Sequence, residues 1–159
     1  MKILTLLFCI SLAAQAQFLT IEMNVEGMDC VSCVSGLEAK LKRMRGVESV
    51  TVDAAKSLVS LKLAANNSVR MERIRDDIKA IGFTPKRARI TAIGKVLTED
   101  GAKLFVIEST NQRHSIAAGS EKFSSLLNSG KPVLVEAFQS PGPSPQDLPT
   151  LELINVSSQ

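Results

Sequence analysis

Two cysteines, Cys30 and Cys33, stand three positions apart in the segment Gly27-Met28-Asp29-Cys30-Val31-Ser32-Cys33. Thiolates are soft donors suited to Cu(I), Zn(II), Cd(II) and Hg(II). A free cysteine with a pKa near ~8.5 is mostly protonated at neutral pH, so such a site must favour the thiolate. Two ligands alone leave a metal open to attack by a third thiolate from another protein, a geometry suited to carriage and hand-over. Asp29 places a carboxylate beside the pair. Zn(II) prefers four ligands and accepts carboxylate oxygen, whereas Cu(I) is content with two thiolates in a near-linear arrangement. The same acid also suits a solvated loop or a helix cap. Thiol–disulfide exchange is a different chemistry open to a CxxC pair. A structural staple across two intervening residues closes a tiny loop and adds little stability.

The elements around the pair determine how it is held. Leu19, Ile21, Met23 and Val25 alternate with polar residues, which predicts a strand leading into the loop. Val34, Leu37, Leu41 and Met44 fall at helical spacing, and Gly46 marks a helix end. Cys33 then lies in the opening turn of that helix, where free backbone N–H groups favour negative charge. VESVTVD and SLVSLKL read as two further strands, joined at Ala54-Ala55-Lys56. Ser68 is a helix-cap candidate before Met71, Ile74, Ile78 and Ile81, which repeat the helical spacing up to Gly82. The order strand, helix, strand, strand, helix, strand predicts a ferredoxin-like βαββαβ sandwich.

Beyond about Ile90 the texture changes. ITAIGKVL, AKLFVIES, RHSIA, PVLVEAFQ and LELINVS are short alternating or apolar runs parted by turn signals. A helical segment over residues 121–127 follows the third run. Three strands, a helix and two strands is the order of a small OB-like β-barrel. Residues 140–149 hold four of the six prolines and read as an exposed loop. Residues 84–97 read as one long strand, or two, crossing between the halves. Phe105, Phe123 and Phe138 are expected in the core, and His114, alone in a polar run, at the surface.

The segment Gly27–Cys33 resembles the GMxCxxC signature of the heavy-metal-associated (HMA) domain family. Gly46-Val47 and Ala80-Ile81-Gly82-Phe83 are similar to that family's pattern after its two helices. The resemblance covers about residues 18–90. It implies that Cys30 and Cys33 bind a soft metal ion, that Met28 packs beneath the loop, and that Phe83 lies beside it. It also implies a partner protein that gives or receives the metal. Copper-carrying members commonly have a residue such as Thr before the first cysteine; members attached to zinc, cadmium and lead pumps often have Asp, as here.

Hydrophobic residues make up 45% of the 159 and charged residues 22%, a globular profile. A net charge of +3, scattered along the chain, does not call for a polyanionic partner. Lys86, Arg87 and Arg89 cluster without the stacking aromatics that single-stranded nucleic acid prefers. Lys2, the apolar run of residues 3–12 and the small-x-small form Ala14-Gln15-Ala16 read as an export signal. That run is far shorter than the ~20 residues a spanning helix needs. Cleavage after Ala16 would remove Cys9 and leave Cys30 and Cys33 as the remaining cysteines.

The expectation is thus an α+β protein: a signal at 1–16, an HMA-like metal domain at 17–90 and an OB-like β domain at 91–159. Its expected role is that of an exported, periplasmic or secreted, non-enzymatic metallochaperone or scavenger. Cys30 and Cys33 are the ligands, with Asp29 as a third candidate. Cu(I) ranks first as cargo, with Zn(II), Cd(II) or Hg(II) as alternatives. No nucleic acid and no membrane span in the mature chain are expected. The alternative function is a redox protein using the same CxxC, although such proteins usually carry an aromatic residue before the first cysteine.

Overall fold

A computed structural model of the chain describes residues 16–144 and 146–159. Apart from Ala16, the segment read as an export signal lies outside the described residues. The elements are β1 (Gln17–Glu26), α1 (Val31–Lys42), β2 (Val47–Asp53), β3 (Leu58–Leu63), α2 (Met71–Lys79) and β4 (Thr84–Glu99). They continue with β5 (Ala102–Ile107), β6 (Gln112–Ile116), a 3₁₀ turn (Glu121–Phe123), α3 (Ser124–Leu127), β7 (Val133–Ser140) and β8 (Thr150–Ser158). The molecule is α+β.

The first half follows the βαββαβ order. Its strands run β2-β3-β1-β4, all antiparallel. Leu37 and Leu41 of α1 and Ile74 and Ile78 of α2 are fully or almost fully removed from solvent and join the strand residues in one core. The spacing of three and four places these side chains on one stripe of each helix. In β1 the pairing shifts between Phe18 and Thr20, where two residues oppose one on β4. A bulge of this kind breaks the alternation. Phe18 therefore lies in the core, and Leu19 is only half-buried, unlike the simple alternation expected. The expected Ser68 cap is also absent: α2 starts at Met71 behind Arg70, without a side-chain cap.

Residues 84–99 form one strand, and that strand joins the two halves. One edge of β4 pairs with β1 over Thr84–Ile93. Its other edge pairs with β7 over Ala88–Gly94, and from Lys95 onward the strand pairs with β5. Gly94 stands at this change of partner. A Cβ there would lie 2.5 Å from the Phe105 ring and 2.6 Å from the Val106 carbonyl oxygen, so only glycine allows the approach. From β4 the pairings run through β5, β6, β8 and β7 back to β4, a closed ring. All are antiparallel except β6 with β8. Closure leaves the ring without the exposed edges of an open sheet.

His114 overturns its expected exposure. It alternates inward with Gln112 on β6 and is fully buried. Its ring meets Phe18 edge-on at 6.1 Å and Phe105 at 6.4 Å. Phe105 is core as expected, whereas Phe123 and Phe138 are half-buried.

Candidate metal centre

The loop that carries the thiols is shaped at both ends. Gly27 leaves β1 with φ +90, a conformation open to glycine and strained for other residues. The Asp29 N–H then donates to the Gly27 carbonyl at 2.9 Å, which folds the chain back toward the helix. Met28 is 6% exposed and belongs to the core, which anchors the loop from below. Phe83, at the start of the returning strand, is buried and lies against Gly27.

Cys30 is the N-cap of α1, with extended backbone angles, and its carbonyl accepts the first helical bond from the Val34 N–H at 3.0 Å. Cys33 sits in the first turn. The spacing brings both side chains to the helix start, and both are free thiols. Cys30 is exposed; Cys33 is half-buried and packs against the core.

The two thiols are electrostatically unlike. Hydrogen bonding from the Cys33 side chain, then from Ser32, lowers the Cys30 pKa to about 7. The Ser32 hydroxyl lies 3.1 Å from the Cys30 Sγ. Cys33 is pushed up, first by its hydrogen bond to Cys30 and then by burial. The exposed thiol thus gives up its proton first while its neighbour holds one. Ser32 was not singled out from the sequence, although a hydroxyl between two cysteines was the available signal.

Asp29 is exposed, and α1 has no side-chain cap, so the capping role open to it is not used. Among the described residues no group of three or more His, Cys, Asp or Glu side chains converges as a metal cage. The site is therefore a pair of thiols with an acid nearby, not a closed four-ligand centre. His114, buried against Phe18 and Phe105, does not join the thiols in a group of three or more such side chains.

The family model described as the heavy-metal-associated domain matches residues 22–84, spanning the thiol loop and both helices. The copper chaperone CopZ of Staphylococcus haemolyticus (strain JCSC1435) is 34% identical over 64 residues, 40% of this chain and 93% of that protein. The chain belongs to the heavy-metal-associated domain family. Human copper-transporting ATPase 2 is 27% identical over 108 residues, which cover 68% of this chain. The chain spans only 7% of that ATPase's length. A solved structure of a CopZ metallochaperone, 30% identical, covers 42% of this chain and 97% of its own, with a TM-score of 0.39. Within this heavy-metal-associated domain, Cys30 and Cys33 open the first helix and two consecutive strands follow it. A thioredoxin-like order would follow that helix with a strand and another helix.

Proposed function

We propose that this protein is an exported, non-enzymatic carrier that binds a soft metal ion through Cys30 and Cys33 and passes it to a partner protein by ligand exchange. The observation that carries the reading is the unlike thiol pair at the start of α1, inside a domain whose family includes copper chaperones. An exposed thiolate captures the ion, and deprotonation of Cys33 completes a two-coordinate site. An incoming thiolate from the partner then adds to the open metal, and the original ligands leave in turn. Cu(I) is the preferred cargo, as the named copper relatives support, with Zn(II), Cd(II) or Hg(II) as alternatives. Asp29 is the candidate third ligand for the divalent ions. Competition among Cu(I), Zn(II), Cd(II) and Hg(II) for the reduced chain, read by metal analysis, tests the choice. Loss of binding in Cys30→Ser and Cys33→Ser is expected; full retention in either variant overturns the site.

The ring of five strands is read as an OB-like barrel. Its order, its one parallel pair and the short helix before β7 support that reading. Its role is to orient the metal domain, residues 17–90, toward the partner through residues 91–159. Export rests on the sequence features of residues 1–16. Intact-mass measurement of exported protein is expected to give a chain starting at Gln17.

A second reading draws on the same unlike thiols, since a low-pKa exposed cysteine beside a protonated one also suits disulfide exchange. An insulin-reduction assay separates the two: a carrier shows no turnover.

A further inference from the structure

A second site lies between α2 and the proline-rich loop joining β7 to β8. The cleft there holds about 380 Å³ and is lined by none of the thiol-loop residues. Met71, Arg75, Asp76 and Lys79 form its helix wall, and residues of the loop form the other. The loop is a built surface: Gly142 lies so close to the Asp147 backbone that a Cβ would sit 2.4 Å from its carbonyl oxygen. Asp147 also accepts from the Ser144 N–H at 3.0 Å.

The charges lining this cleft are unevenly satisfied. Glu72 accepts from the Gln112 side-chain amide at 2.9 Å and lies 3.6 Å from Arg70, so its charge is already engaged. Asp147 is engaged by its own loop. Arg75 is 7% exposed, and its guanidinium donates to two neutral acceptors, the Lys86 carbonyl at 2.7 Å and Gln139 at 2.8 Å. Among the described residues it forms no ion pair, and neither do Asp76 and Lys79. A buried guanidinium whose hydrogen bonds go only to neutral acceptors is costly: burial is the largest influence on it, and the charge of nearby Glu72, which makes no ion pair with it, pulls the other way. An exposed, unpaired carboxylate stands one residue along the same helix. Among the described residues a buried cation and an exposed acid, neither in an ion pair, therefore line one cleft.

We propose that this cleft binds a small zwitterion of the α-amino-acid class, its carboxylate on Arg75 with Lys79 and its ammonium on Asp76. Arg presents a planar fork matched to a carboxylate, which favours this orientation over the reverse. The proline side of the loop takes the apolar part of the ligand. Simple anions meet Asp76 and simple amines meet Arg75, so each half-ligand binds less well than the whole.

The test is calorimetric titration of the full chain with each of the twenty common L-amino acids, and with acetate and methylammonium as half-ligands. At least one amino acid is expected to bind one-to-one with Kd at or below about 1 mM, and each half-ligand at least about tenfold more weakly. Arg75→Gln and Asp76→Asn are each expected to weaken that binding at least about tenfold while metal stoichiometry is unchanged. Where circular dichroism shows Arg75→Gln unfolded, the exposed Asp76→Asn decides. No amino acid binding at about 10 mM, acetate binding as tightly as the best amino acid, or full affinity in Asp76→Asn each overturns the proposal.

Discussion

The proton at Cys30 is held less tightly than the proton at Cys33, and that difference is chemical information about the order of events. A thiolate, not a thiol, attacks an alkylating agent. Short pulses of iodoacetamide on the reduced protein, followed by peptide mapping, are therefore expected to label Cys30 first. The labelling rate should rise through a midpoint near pH 7, following its lowered pKa. Cys33 labels at higher pH, because its thiol is pushed up. Equal rates at both positions across this range contradict the assignment. Asp29 gives a second prediction at the same scale. As a carboxylate beside two soft donors it adds a ligand that Zn(II) and Cd(II) accept and Cu(I) does not need. Asp29→Ala is expected to weaken Zn(II) and Cd(II) binding at least about tenfold, ~1.4 kcal/mol, with Cu(I) nearly unchanged. Equal effects on all three ions mean that the acid is not a ligand. The cysteine pair and its place at a helix start were legible because residue type and spacing alone specify them. The asymmetry between the thiols was not, because it depends on which side chain donates to which.

The informative element is β4. The sequence allows one strand or two across residues 84–97. The structure has the strand continue through Gly94, where the Phe105 ring and the Val106 carbonyl press against the backbone. Adding a methyl group at Gly94 forces these neighbours apart, and the carbonyl is backbone that cannot swing aside. Gly94→Ala is expected to cost about 1–3 kcal/mol, the usual range for overpacking. Thermal unfolding followed by circular dichroism checks this, with an unchanged melting temperature counting against the close approach. The bulge at Leu19 was hidden for a related reason. Alternation predicts the face of each residue only while both strands advance together, and Phe18 shows that β1 does not.

At the scale of the whole molecule the outlier is His114, which is fully buried and whose ring nitrogens meet no geometrically good hydrogen-bond partner among the described residues. Burial lowers its pKa to about 4 against an ordinary 6.5, with the Glu72 charge and then the Phe105 backbone pulling the other way. The unfolded chain therefore takes up a proton between pH 6.5 and 4 that the folded chain refuses. Stability attributable to this residue is full above pH 6.5 and falls as the pH drops toward 4, by a total of about 3 kcal/mol. Denaturant unfolding at pH 7 and pH 4.5 should show the loss in the parent and a smaller one in His114→Leu. A parallel loss in both proteins assigns the acid sensitivity to other groups. The inward position of His114 was written in the alternation Gln112, His114, Ile116. Its polarity argued for the surface, and the packing of β6 prevailed.

One strand with a partner on each edge has a further consequence for how cargo is felt. β4 pairs with β1 of the first half and with both β7 and β5 of the second, so neither half can open without stripping a neighbour from the other. A ligand that binds only the folded form lowers the population of every unfolded form coupled to it. Metal held at Cys30 and Cys33 should therefore slow the deepest amide hydrogen exchange in β5 and β6 as well as in β1, although no thiol lies near them. Slowing confined to β1 and α1 in hydrogen-exchange mass spectrometry argues for two separable units. Slowing throughout makes the ring of strands a remote gauge of loading, with the two halves melting together like cloth cut across a shared thread.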